Sequence, residues 1–459
     1  MIRGMKNLSC FKAYDIRGRI PSDLNDELAY QIGRSYAAFV DPQEVAVGRD
    51  IRATSATLSA ALIRGLNEGG ANVADIGLCG TEGVYFATFA EALDGGIMVT
   101  ASHNPPDYNG MKFVREGSRP ISADTGLMDM RALIEGGRLP ALAARPGRTR
   151  PLDISAKYLQ HLLGYVQGAK LRRLKVVVNA GNGGAGLVVD QLEPHLPFEF
   201  IKVHHEPDST FPNGVPNPML EENRASTIEA MRRSGADIGL AWDGDFDRCF
   251  FFDEHGGFVE GYYLVGLLAE AFLKRYPGSR IVHDPRLTWN TIDIVKRLGG
   301  EPVLCRSGHA FIKQRMREVD AVYGGEMSAH HYFRDFAYCD SGMIPWLLVL
   351  AVLCETGKSL GELVGERQRR YPVSGEINRE LAGSGADARA VMARVQNHYA
   401  GAARSVDFTD GLSMEFDQWR LNLRGSNTEP LVRLNVESRG SDSLMREKTA
   451  EVLALMATV

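Results

Sequence analysis

The sequence predicts an α/β protein: three consecutive α/β domains with mixed sheets, followed by a smaller C-terminal α+β domain. Three observations carry this. Over most of the chain, short apolar runs end in polar loops and lead into helix-like stretches, the pattern of doubly wound sheets. Three breaks divide the chain into pieces of domain size. The final piece changes pattern, with three strand-like runs close together and a helical stretch on either side.

The elements follow in order. In the first segment, 1–146, an apolar run at 44–47 precedes a helix-like 55–68, and runs at 73–76 and 96–100 follow. The Pro-, Gly- and Arg-rich stretch 137–151 lacks periodicity and reads as a linker. In the second segment, 151–254, 174–178 runs into Gly181-Asn182-Gly183-Gly184, and 237–242 runs into an acidic loop. The turn Asp253-Glu254-His255-Gly256-Gly257 opens the third segment, 255–368. There 281–283 precedes Asp284-Pro285-Arg286, 321–323 precedes Gly324-Gly325-Glu326, and the apolar run 343–354 reads as a buried helix, too short to span a bilayer. Beyond Arg369-Arg370-Tyr371-Pro372 lies the fourth segment, 369–459, with strands expected at 412–416, 419–423 and 431–436 and helices at 388–399 and 444–456.

At 459 residues the chain exceeds one ordinary core, and 44% hydrophobic with 24% charged residues is a globular composition. A formal net charge of −5 argues against general nucleic-acid binding but leaves room for a local basic cleft. The six cysteines are scattered with no CxxC pair, as expected of reduced thiols in the cytoplasm. The N-terminus lacks the apolar stretch of a signal peptide.

The polar loops sit at the carboxyl ends of their strands, where such sheets bind ligands. Ser102 and His103 follow the apolar run at 96–100, and Lys112 could reach back across a short hairpin. A serine hydroxyl needs a base or a metal to act as a nucleophile, and no G-x-S-x-G elbow is present. Asp243, Asp245 and Asp247 place carboxylates at every other position, a hard-cation pattern suited to Mg²⁺. The calcium-loop pattern fails, because Arg248 and a strand follow. Glu326, Ser328 and His330 alternate in a way that suits sugar hydroxyls. Arg424, Ser426, Asn427 and Thr428 could grip a phosphate. Gly181-Asn182-Gly183-Gly184 lacks dinucleotide-binding spacing and reads as structural.

These motifs together resemble the α-D-phosphohexomutases, most of all the bacterial phosphomannomutase/phosphoglucomutase type. The resemblance runs from Phe11-Lys12-Ala13-Tyr14-Asp15-Ile16-Arg17-Gly18 through Thr100-Ala101-Ser102-His103-Asn104-Pro105, the acidic loop and the Glu326 loop to Arg424-Gly425-Ser426-Asn427-Thr428. It implies four domains around a central cleft and a phosphoserine at Ser102, with Mg²⁺ held by Ser102, Asp243, Asp245 and Asp247. It implies Lys112 as general base, with Arg17, His103 and Arg248 beside it. Substrate contacts are implied for Tyr14, Arg286, His309, Glu326, Ser328, His330, Arg424, Ser426, Asn427, Thr428 and Arg433. The ligands implied are hexose phosphates, with a hexose 1,6-bisphosphate as activator, and the partners include neither nucleic acid nor membrane; a monomer or weak homodimer is expected. Phe246 departs from the pattern, standing where glycine is frequent, and Gly425 occupies a position that varies. Other readings of the residues are a mutase of glucose or dual specificity, a metal-dependent phosphatase, and an inactive sugar-phosphate binder. Intact Ser102, all three aspartates and Lys112 speak against the last.

Overall fold

The computed structural model describes residues 8–380, 388–425 and 431–457. Its contacts group into two compact units, Met1–Phe258 with Tyr332–Gly357, and Val259–His331 with Lys358–Val459.

The first unit contains two sheets. In the first the strand order is Ile16–Arg19, Tyr108–Arg115, Gly95–Val99, Glu44–Arg49, Asn72–Leu78, Thr149–Pro151. Gly95–Val99, Glu44–Arg49, Asn72–Leu78 and Thr149–Pro151 run parallel, while Tyr108–Arg115 turns back antiparallel on Gly95–Val99. That hairpin sets Lys112 opposite Met98. Helices Asp26–Val40 and Ser55–Glu68 cover the sheet, and Ile32, Leu62, Val45, Val47, Ile97 and Val99 are fully buried in the shared core. In the second sheet Lys175–Asn179 lies between Glu199–Val203 and Ile238–Trp242, all parallel, and Cys249–Phe252 returns antiparallel on Ile238–Trp242. Every residue of Ile238–Trp242 is buried, so this strand reads as a continuous apolar run rather than an alternating one. The run at 343–354 is helix Ile344–Thr356, buried on most of its surface as expected.

The second unit has a parallel ladder of Glu301–Leu304, Arg280–His283 and Tyr323–Gly325. Its other sheet is antiparallel throughout, in the order Ile377–Glu380, Leu431–Ser438, Trp419–Gly425, Leu412–Glu415, Ser405–Asp407. Helices Ala388–Tyr399 and Asp442–Ala457 pack on it around Val395, Leu421, Leu434, Val436 and Val452. This is the α+β piece expected from the pattern. The expected run at 321–323 shifts to Tyr323–Gly325, the residues that pair with Arg280–His283. No helix among the described residues is long and apolar enough to cross a membrane.

Candidate active site

In the first unit the serine loop and the acidic loop meet. Ser102 is buried and has φ 51°, the left-handed region that costs a side-chain-bearing residue about 1 kcal/mol. The surroundings hold it there. Its N–H donates to Thr100 Oγ1 (2.9 Å), and Thr100 donates in turn to Asp50 (2.7 Å). Arg52, itself buried, donates to four carbonyls of this loop: Ser102 (2.8 Å), Asn104 (2.6 Å), Pro105 (2.7 Å) and Tyr108 (2.9 Å). The Ser102 hydroxyl thereby lies 3.1 Å from His103 Nδ1 and 3.2 Å from Asp243 Oδ2.

The three aspartates are buried, with one oxygen from each inside a 4.8 Å cluster. Gly244 lets the loop approach, since a Cβ there would stand 2.5 Å from the Ser102 carbonyl oxygen. Burial pushes the Asp243 carboxyl up to about 7 against the pull of Arg248, which donates to it from Nε (2.9 Å) and Nη2 (2.7 Å). Lys112 Nζ lies 2.7 Å from both Asp245 and Asp247. Burial alone would lower the Lys112 ammonium, but the two carboxylates overcome it and hold it above its ordinary value. Burial, reinforced by Arg248 and Arg17, holds His103 neutral, and Arg248 Nη2 stands 2.7 Å from its Nδ1. Arg17 joins the loop through Asn104 Oδ1 (2.6 Å) and is anchored by Asp15 (2.9 Å). Three buried carboxylates, with Asp245 Oδ1 accepting no hydrogen bond from the described residues, fit a hard divalent cation.

In the second unit a different cluster forms. Buried Arg286 reaches Asp284 (2.8 Å), Ser328 Oγ (3.2 Å), Glu326 (3.4 Å) and Glu376 (3.6 Å). The N–H of Gly308 donates to Glu326 (2.9 Å), which brings the start of helix His309–Val319, and so His309, beside it. Ser328 and His330 are partly exposed, while Met327 before them and Ala329 between them are buried. His331 is a core residue, 2.7 Å from the Tyr323 hydroxyl, and burial lowers it to about 3. Arg424 and Arg433 face each other across the ladder of Trp419–Gly425 and Leu431–Ser438. Like charges so placed repel, and Glu376 meets both, at 3.2 and 3.3 Å. Burial would raise the Glu376 carboxyl, but Arg286, Arg424 and Arg433 hold it below its ordinary value.

Four domains described for phosphoglucomutases and phosphomannomutases match this chain in order: the α/β/α domain I over 9–130, domain II over 156–257, domain III over 260–371 and the C-terminal domain over 376–455. The chain belongs to the phosphoglucomutase/phosphomannomutase family. A phosphomannomutase of Salmonella montevideo is 58% identical over 459 residues, covering 98% of this chain and 100% of that one. A protein of Xanthomonas campestris named phosphohexose mutases is 58% identical over 452 residues, covering 98% of this chain and 99% of that one. A crystal structure of a phosphoglucomutase/phosphomannomutase family protein from Burkholderia thailandensis superposes with a TM-score of 0.88 at 32% identity, covering 99% of both chains.

For this family member, the structure brings together Arg17, Ser102, His103, Lys112, Asp243, Asp245, Asp247 and Arg248 in one unit. In the other it gathers Arg286, Glu326, Ser328, Arg424 and Arg433, with His330 in the same loop. Tyr14 stands half-buried in the turn before Ile16–Arg19. Ser426, Asn427 and Thr428 lie outside the described residues. Asp50, Arg52, Thr81 and Glu376 escaped the sequence reading. Asp50 and Arg52 had a signal, since Gly48-Arg49-Asp50-Ile51-Arg52 is itself a polar loop at the carboxyl end of a strand. Glu376 had none.

Proposed function

We propose that this chain is a phosphomannomutase, interconverting mannose 6-phosphate and mannose 1-phosphate through phosphoserine 102 and a hexose 1,6-bisphosphate. The observation that carries this is the Ser102 hydroxyl 3.2 Å from a buried three-carboxylate cluster. A phosphatase would use water as the attacking group, whereas here a serine hydroxyl itself stands against the carboxylate cluster, with Lys112 and Arg248 paired to the same aspartates.

In the forward half-reaction the phosphoryl group leaves Ser102 Oγ as the P–O bond breaks. A new bond forms to the free hydroxyl of the hexose monophosphate, and the proton which that hydroxyl gives up ends on Ser102 Oγ, restoring the serine hydroxyl. The second half returns the other phosphoryl group to Ser102. When bound at the aspartates, Mg²⁺ would supply positive charge to the phosphoryl oxygens. Arg248 and Arg17 contribute permanent charge to the same region, which is worth most where charge develops. Lys112 was expected as the base. Doubly ion-paired, it acts as a cation, and it can accept a proton only when Asp245 and Asp247 are engaged elsewhere. Glu326, Ser328 and His330 suit sugar hydroxyls, and Arg286, Arg424 and Arg433 suit a phosphate. Glu326 and Ser328 bind hydroxyls common to mannose and glucose, so glucose 1-phosphate should also turn over; the name of the Xanthomonas relative is consistent with such breadth. The mannose 1-phosphate formed would feed GDP-mannose and polysaccharide synthesis in the cytoplasm, by a monomer or weak homodimer. The six free cysteines suit that compartment.

The test is a coupled assay of mannose 1-phosphate and glucose 1-phosphate with and without hexose 1,6-bisphosphate, combined with peptide mapping after labelling. We expect turnover of both sugars, stimulation by the bisphosphate, label on Ser102 and loss of activity with EDTA. Label on another serine, or full turnover in EDTA, would overturn the assignment.

A further inference from the structure

Phe246 lies between two of the aspartates and its conformation is unusual. Its φ is 47°, a region that bulky side chains rarely enter, yet the ring is buried. Two glycines explain where the ring goes. A Cβ on Gly80 would stand 2.2 Å from the tip of the ring and 2.5 Å from both atoms flanking it. A Cβ on Gly184 would stand 2.8 Å from one ring edge. Neither glycine is needed for its backbone, since Gly80 has φ −92° and Gly184 φ −80°. Their missing side chains make a slot, and the ring fills it.

The slot lies at the start of two helices from different segments. Gly80 precedes Thr81–Ala90 of the first, and Gly184 precedes Ala185–Leu192 of the second. Thr81 also reaches the acidic loop: its hydroxyl donates to Asp245 Oδ2 (2.5 Å) and its N–H to the Asp245 carbonyl (3.3 Å). On the other side, a Cβ on Gly342 would stand 2.3 Å from the Phe246 carbonyl oxygen. The loop is therefore held from three directions, and the ring is its largest anchor.

We infer that Phe246 is a positioning residue for the metal loop. Keyed between Gly80 and Gly184, it fixes Asp245 and Asp247 against Thr81 and Lys112 before any cation arrives. A carboxylate set already in place loses less conformational freedom on binding, so the cation binds more tightly. This rests on the reading that the three aspartates hold a divalent cation.

The test uses the full chain and Mn²⁺ as probe, titrated calorimetrically. Phe246→Gly suits the backbone at φ 47° but removes the key, and should weaken Mn²⁺ binding at least about ten-fold. Its kcat should recover at saturating Mg²⁺, with KM for the hexose phosphate unchanged. Phe246→Leu should restore part of the affinity. Gly80→Ala should weaken Mn²⁺ binding by a similar factor, because the methyl group displaces the ring. In Phe246→Gly the slot is empty, so adding Gly80→Ala should cost nothing more. The inference fails if Phe246→Gly and Phe246→Leu both bind Mn²⁺ within about two-fold of wild type, or if the two losses multiply in the double variant. A wild type that binds no Mn²⁺ overturns this inference and the metal reading together.

Discussion

Arg52 shows how one side chain can hold a serine in a strained conformation. A left-handed serine persists only where its surroundings over-determine it, and four carbonyls converge on one guanidinium to do so. Arg52→Ala should lower stability by about 3 kcal/mol, since it removes the cation 3.4 Å from buried Asp50 and leaves the four carbonyls without their donor. Urea unfolding would measure this, and labelling of Ser102 should fall with it. Arg52→Lys should not rescue, because one ammonium cannot span a planar fork's contacts; a lysine variant with wild-type kcat would refute the role. Glu376 is the corresponding residue in the second unit. With Glu376→Gln, Arg424 and Arg433 face each other without a counter-charge, and stability should drop by about 1–2 kcal/mol. Added inorganic phosphate should shrink that deficit by replacing the carboxylate. A melting-temperature difference that phosphate leaves untouched would show that Glu376 does not balance the arginines.

At the scale of elements, the acidic loop works because small residues let it come close to its neighbours. Gly244 approaches the Ser102 carbonyl, and Gly183 lies against the Gly244 carbonyl, where a Cβ would stand at 3.0 Å. The glycine run at 181–184 thus has the structural role expected of it: it makes room for the acidic loop. Gly244→Ala should push the loop from Ser102 by a fraction of an ångström to an ångström. A misplacement of that size costs about 100-fold in rate, while circular dichroism should stay unchanged. If Gly244→Ala keeps full kcat, the approach of the loops is not what aligns the chemistry. The hairpin of Gly95–Val99 and Tyr108–Arg115 works the same way, carrying Lys112 to the aspartates by register alone.

For the whole molecule, the pH dependence of folding should report Glu82. This residue, in helix Thr81–Ala90, is fully buried and accepts from the Tyr158 hydroxyl (2.6 Å), so two distant parts of the chain meet on it. Burial raises its carboxyl from 4.5 to about 8. A folded-state value above the unfolded one means that the folded state binds the proton more tightly. The resulting stability is complete below about 4.5, declines as pH rises and is lost above about 8. Glu82→Gln should therefore match wild type near pH 5 and exceed it near pH 9, by an amount on the order of a few kcal/mol. Melting curves at both values decide the matter; parallel pH profiles for the two proteins would show that Glu82 stays ionised in the fold.

The alternation of strands, loops and helices, the antiparallel last segment and the motif residues around Ser102, Asp243 and Glu326 are all legible in the chain. These are local patterns: apolar periodicity marks an element, and a polar loop at its carboxyl end marks a place where ligands bind. Helices at 55–68 and 388–399 could be read to the residue for the same reason. Ile377–Glu380 could not. Its sequence, INRE, has one apolar residue and no period, and it is a strand because Leu431–Ser438 offers it a ladder. The clamps were equally hidden. Arg52 acts on a carbonyl 56 residues away, Glu376 on arginines 48 and 57 residues away, and the Phe246 ring on two distant glycines, Gly80 in the first segment and Gly184 in its own. Only the tertiary structure decides such contacts, because each depends on which distant backbone comes within a few ångströms, and no periodicity in the chain records that distance.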